Sequence, residues 1–171
     1  MSAEFYDAPE VEEVAVGLID RYHSHLVEAK MKYMFREGAW SKNDKTTWGQ
    51  AVKVSARDKH LTGFDFLIII NFKIWRLLGH EERKALVDHE LAHCGRYPDD
   101  DKDGSPRWYI VGHDLEDFVS IVSRHGYWTE SVKRMASAMD VHRAANLLDY
   151  GLEDPGGKEN SQDKLRVVGK N

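Results

Sequence analysis

Asp88-His89-Glu90-Leu91-Ala92-His93-Cys94 closes a run from Glu81 that reads as one amphipathic helix, with Ala85, Leu86, Leu91 and Ala92 giving it a buried side. Histidines four apart share a helix face, so His89 and His93 can present two ring nitrogens to one cation. Glu90 sits about 100° round the helix and can reach a water held beside that cation. With nine histidines and thirteen glutamates in 171 residues, an H-E-x-x-H run arises by chance in about three or four of a hundred such chains, so the surrounding sequence must decide.

Ahead of this helix, Gly79 separates it from a short helical turn, Phe72 to Leu78, that carries Trp75. His80-Glu81-Glu82 places acid at the helix start, where the dipole favours it, and Gly95 supplies a stop at the other end. Phe64-Asp65-Phe66-Leu67-Ile68-Ile69-Ile70-Asn71 is short, apolar and β-branched, the pattern of a buried strand. Two more strand patterns precede it, Ala29 to Arg36 and Thr46 to Ser55, separated by the polar stretch Ser41 to Lys45; within the second, Gly49 marks a bulge or a close approach. Ala8-Pro9-Glu10 opens a first helix whose stripe is Val11, Val14, Leu18, Tyr22 and Leu26. His23 and His25, two apart, point to different faces of it and read as ordinary polar residues. The expectation is an α+β fold: an N-terminal helix, a short, mostly antiparallel sheet of about three strands, the motif helix and further C-terminal helices.

Beyond the motif, Asp99-x-Asp101-x-Asp103-Gly104 matches the opening of a calcium loop. Its twelfth position is Ile110 where a bidentate glutamate is required, which favours a solvated acidic loop. Gly112 then leads into a helical pattern of Leu115, Phe118, Val119 and Val122, with His113 in the first turn and Glu116 one turn on. His113 gives an all-imidazole set with His89 and His93, and Glu116 gives two histidines and a carboxylate; the reading favours His113 and leaves Glu116 open. Asp88 and Asp114 are candidate partners for the ligand imidazoles, or else solvated acids at helix ends. His125, Tyr109 and Tyr127 are candidate donors to an oxyanion, with packing the plainer role for each. Cys94 reads as a small buried residue. Thr129 to Leu148 forms a last helix, started by the cap signal Thr129-Glu130-Ser131 and striped by Val132, Met135, Ala136 and Met139, while His60, His80 and His142 belong to no ligand cluster.

The composition, 42% hydrophobic with a net charge of −5, is that of a soluble globular domain, taken as residues 1–150 with a flexible tail at 151–171. The longest apolar run, Phe66 to Ile70, is too short to span a bilayer, and the first residues lack the basic and apolar regions of a secretory signal. One cysteine permits no internal disulfide and fits the cytoplasm, and the negative charge argues against nucleic acid as a partner.

The motif segment Asp88 to Cys94, the strand Phe66 to Phe72, Gly112-His113-Asp114-Leu115-Glu116-Asp117-Phe118 and Arg124-His125-Gly126-Tyr127-Trp128 together resemble the phage metallopeptidase family, over roughly Ala29 to Trp128. That family is similar in turn to the SprT-like zinc peptidases, in which the H-E-x-x-H helix is followed by a third histidine with a glutamate three places on, a pattern matched by His113 and Glu116. The resemblance implies a small zincin-like fold, phage or prophage origin and metal-dependent hydrolysis. The sequence has no Cys-rich zinc ribbon and no basic DNA-binding tail such as accompany some SprT-like proteins, so proteolysis at DNA is not carried over.

The expected function is that of a zinc-dependent peptidase, with Zn2+ on His89, His93 and His113, Glu90 as general base, and a protein or peptide substrate met in the cytoplasm, that of a bacterial host if the chain is phage-encoded. The alternative is a catalytically silent, zinc-stabilised binding module that holds a host protein as an inhibitor or adaptor. Glu90 beside the ligand pair favours the enzyme, because a structural site needs a fourth protein ligand and has no use for a base.

Overall fold

The structure, a computed structural model, describes residues 2–149. Internal contacts gather into two units, one ending at His113 and the other beginning at Asp114. The first runs β1 (Glu4–Asp7), α1 (Pro9–Tyr22), a 3-10 turn (Ser24–Leu26), β2 (Met31–Glu37), β3 (Ser41–Lys42), β4 (Lys45–Thr46), β5 (Gly49–Lys53), α2 (Ala56–Thr62), β6 (Phe66–Asn71), α3 (Phe72–Leu77), α4 (His80–Ala92), β7 (Cys94–Arg96) and β8 (Trp108–Ile110). The second holds α5 (Val119–His125) and α6 (Glu130–Asp149). The fold is α+β.

The apolar run at 66–70 takes a central place in the main sheet, whose order is β1-β2-β6-β5. Phe66, Ile68 and Ile70 are fully buried, and Leu67 and Ile69 on the opposite face are half-buried. β2 pairs with β6 in parallel, setting Phe35 beside Ile70, and β5 pairs with it antiparallel, setting Ala51 beside Ile68. Val11 and Ala15 of α1 and Leu86, Val87 and Leu91 of α4 close the core over this face. The sheet has one strand more than expected: β1 pairs antiparallel with β2. All four β1 residues are exposed, so the strand leaves no apolar alternation in the sequence.

Local chemistry explains the other departures. The first helix stops at Tyr22, and Leu26 is buried from the separate 3-10 turn. The polar stretch after β2 is a tight β3–β4 hairpin in which Asn43 and Asp44 take φ of 50° and 59°, the left-handed region these side chains tolerate. α2, absent from the sequence reading, had signals at both ends: the Ser55 hydroxyl accepts the Asp58 N–H, and Gly63 closes the helix at φ +79°. In the second unit, the helix expected from Gly112 begins only at Val119. Asp117 accepts from the Phe118 N–H at 2.7 Å and from the Trp128 indole at 3.0 Å, and such side-chain bonds compete with a continuing helix. α6 starts as expected, with the Thr129 hydroxyl accepting the Val132 N–H. The proposed tail from Gly151 lies outside the described residues. Among those described, no helix is long and apolar enough to cross a membrane.

Asn71 joins the sheet to the segments around the motif. Buried at the end of β6, it accepts at Oδ1 from the amides of Lys73 and Ile74, capping α3, and donates through Nδ2 to the Thr47 carbonyl at 2.9 Å. Its own N–H donates to the Trp48 carbonyl at 2.8 Å. Asn71→Ala should lower unfolding free energy by about 1–3 kcal/mol, since it removes a cap and the partner of the half-buried Thr47 carbonyl. Urea denaturation at constant m-value checks this, and a change within error would show that the network is dispensable.

Candidate metal centre

α4 is set at both ends. Glu82 accepts the Gly79 N–H at 2.8 Å, and Arg83 donates from Nε to the Trp75 carbonyl at 2.9 Å. The helix runs through Ala92, His93 forms its C-cap, and Cys94 already belongs to β7. Gly95 is therefore a strand residue and not the expected stop. It is glycine for another reason: a Cβ there would lie 2.5 Å from the Tyr109 ring packed over it in β8.

That hairpin delivers the third histidine. Cys94 pairs with Ile110, and one residue further on the Val111 N–H donates to the His93 carbonyl at 2.8 Å while His93 Nδ1 meets the Val111 carbonyl at 2.7 Å. A carbonyl only accepts, so Nδ1 of His93 carries the proton and Nε2 keeps its lone pair for a ligand role. His113 follows on irregular chain, not in the helical turn expected for it; Glu116, exposed, lies on the irregular stretch ahead of α5. Ring centroids of His113 stand 5.0 Å from His89 and 4.6 Å from His93, and the two motif histidines are 5.0 Å apart. His113 Nε2 and His89 Nε2 approach to 3.1 Å. One nitrogen from each of the three rings lies within 4.8 Å of the others, a grouping that could hold a metal ion. Burial first, and then the charges of His93 and His113, lower the His89 pKa, which keeps the imidazole neutral as ligation requires.

Glu90 occupies a core position on α4. Only 3% exposed, it lies on the helix face that also buries Leu86, Val87 and Leu91. Its place is made by Gly49 of β5: a Cβ on that residue would stand 2.5 Å from Glu90 Oε1. The expectation of a close approach at Gly49 is met, and the approaching group is the motif glutamate. Burial raises the Glu90 pKa from 4.5 to about 7, against the lowering influence of His93 and of a hydrogen bond from the Ala51 amide. A carboxyl titrating there can both take and return a proton near neutrality.

β5 is an edge strand. Trp48 and Val54 bond through their backbones to Asn71 and Asp65, so antiparallel alternation turns the backbone groups of Gly49, Ala51 and Lys53 away from β6. Between this strand and α4 runs a groove of about 510 Å³ whose wall includes both His89 and Glu90.

A model of a known protein family, described as putative phage metallopeptidase, matches residues 3–140. The chain belongs to that family. No match to a curated protein or to a solved structure was found. The family membership fits three histidines grouped so that they could hold a metal ion.

Two histidines read from the sequence as ordinary polar residues have partners across the fold. His23 Nε2 lies 2.6 Å from Asp88 Oδ1, immediately before His89, and His25 Nε2 lies 3.0 Å from the Cys94 carbonyl, immediately after His93. The segment following α1 thus grips the turn of α4 that carries His89 and His93 from both sides. Asp88 is engaged by His23, and the outer partner of the His93 imidazole is instead the Val111 carbonyl. Tyr109 packs on Gly95 and meets the Tyr97 ring at 4.6 Å. Asp114, His125 and Tyr127 are exposed residues of the second unit. Cys94 is buried, as expected, with its thiol pushed up to about 12 by burial and by Glu90, so it stays protonated. In the acidic loop, Asp103 accepts from both the Ser105 amide and hydroxyl, Asp101 accepts from Lys102, and Asp100 pairs with Arg96.

Two measurements on metal-free protein test the Glu90 setting. Gly49→Ala should destabilise by about 1–3 kcal/mol, and by far less in a Glu90→Ala background, because the clash is with that one side chain; equal costs in both backgrounds would refute the contact. A carboxyl whose folded pKa is raised holds a proton that the unfolded chain has released, so its contribution to stability falls as pH rises from 4.5 to about 7. Glu90→Gln removes this term, so its stability relative to wild type should climb by about 2–3 kcal/mol between about pH 5 and pH 8. A gap that does not change with pH would contradict the burial argument.

Proposed function

We propose that this chain is a zinc-dependent peptidase in which His89, His93 and His113 hold the metal and Glu90 is the general base. The observation that carries the reading is the convergence of three imidazole nitrogens within 4.8 Å, with a buried carboxyl that titrates near neutrality at the position after the first of them. Three neutral imidazoles suit zinc better than calcium or magnesium, which prefer oxygen, and three protein ligands leave a position for chemistry. Zinc bound there supplies Lewis acidity, making water acidic enough to attack at neutral pH and polarising a peptide carbonyl. Glu90 takes the proton of the attacking water and passes it to the departing amine, so the carboxylate is regenerated each cycle. Outward backbone groups of β5 other than the Ala51 amide, which Glu90 already engages, offer an extended peptide a strand to pair with beside that carboxyl. The substrate is accordingly a protein or peptide, met in the cytoplasm of a bacterial host if the chain is phage-encoded.

A silent zinc-stabilised binding module is the second reading. A carboxyl held in a core position at the expense of its own ionisation, where an apolar residue would pack without penalty, favours catalysis. Glu90→Gln should bind about one zinc per chain, as wild type does, and lose at least about a hundredfold in peptide hydrolysis; a variant as active as wild type would remove the base from the mechanism. His113→Ala should lose more zinc affinity than Glu116→Ala, measured by competition with a chromogenic chelator. The reverse order would assign the third ligand to the carboxylate.

A further inference from the structure

We propose that the groove between α4 and β5 is a subsite for one large apolar side chain next to the scissile bond, so that the substrates are proteins or peptides carrying an aromatic or long aliphatic residue there. The inference rests on the peptidase reading and adds a substrate class to it.

The groove is continuous with the reacting groups, since His89 and Glu90 form part of its wall. Away from them it is lined by Thr46, Trp48, Ala85 and Leu86, with Glu82 at the rim. Leu86 is 8% exposed and belongs to the core, so the floor is rigid apolar surface; Trp48 is 49% exposed, which leaves much of this large residue uncovered. The Trp48 position is fixed, because Asn71 binds the backbone carbonyls of both Thr47 and Trp48. An opening of about 510 Å³ exceeds the size of any single side chain, so it accepts a ring without closing on it.

Side chains of a peptide extended along β5 alternate between its two faces, so one near the cut turns towards the groove while its neighbours turn away. An apolar occupant loses water against Leu86 and Trp48. At the rim an acidic one meets the Glu82 carboxylate, and like charges at short range oppose its entry. The groove therefore selects for apolar and against acidic side chains at a single position.

The test begins with zinc-loaded wild type and a peptide mixture from a digested bacterial proteome, reading new termini by mass spectrometry. One position flanking the cut should be enriched in Phe, Tyr, Trp, Leu and Met and depleted in Asp and Glu. Ala85→Phe, which fills the groove from an exposed helix position, should shift that position towards Gly and Ala; Trp48→Ala should weaken the preference. Fluorescence anisotropy provides a readout free of turnover: metal-free Glu90→Gln protein should bind a labelled peptide from a mapped site at least about tenfold more tightly than its alanine analogue, and Ala85→Phe should abolish the difference. Cleavage without bias beside the cut, or equal affinities for the two peptides, overturns the subsite and leaves the peptidase reading standing. Failure of wild type to cut any peptide overturns that reading and the subsite with it.

Discussion

The reciprocal pair of hydrogen bonds between His93 and Val111 is the constraint on which the site depends. One bond runs from the Val111 amide to the His93 carbonyl and the other from the His93 ring to the Val111 carbonyl. The first extends the short β7–β8 ladder and brings the chain carrying His113 back to the end of α4. The second fixes which nitrogen of His93 keeps its lone pair. A helix alone presents two imidazoles; the third arrives because the chain leaves α4, turns, and is tied again to the residue at which it left.

Glu90 shows how the scaffold accommodates a residue that the core would otherwise reject. A carboxyl facing Leu86, Val87 and Leu91 loses hydration and resists ionisation. The compensation is local: the Ala51 amide and the nearby His93 both favour the charged form, without cancelling the effect of burial. Gly49 supplies the space, so the strand edge touches the carboxyl through backbone rather than side chain. Backbone contact lets one strand seat the carboxyl with no side chain between them.

How much of this was legible in the sequence depended on the range of the interactions that fix each part. The motif helix, the buried strand at 66–70 and the tight approach at Gly49 follow from periodicity or from a single residue's sterics, and these were readable. The placement of His113 was not, because it is set by strand pairing between Cys94–Arg96 and Trp108–Ile110, and neither segment carries a strong signal of its own. Its spacing from Leu115 and Val119 suggested a helix, which Asp117 interrupts by bonding to the next amide. His23 and His25 read as ordinary polar residues because, after the end of α1, helical periodicity no longer says where a side chain points. Only their partners across the fold, Asp88 and the Cys94 carbonyl, give them a place.

That grip on the turn carrying His89 and His93 has a consequence for how the molecule can be divided. The helix and strand that carry the reactive groups look like a self-sufficient module, yet the turn between His89 and Cys94 is braced from outside by residues near the beginning of the chain. Trimming the protein to a fragment that starts after Leu26 would remove both braces, so residues distant in sequence from the three histidines belong to their mounting.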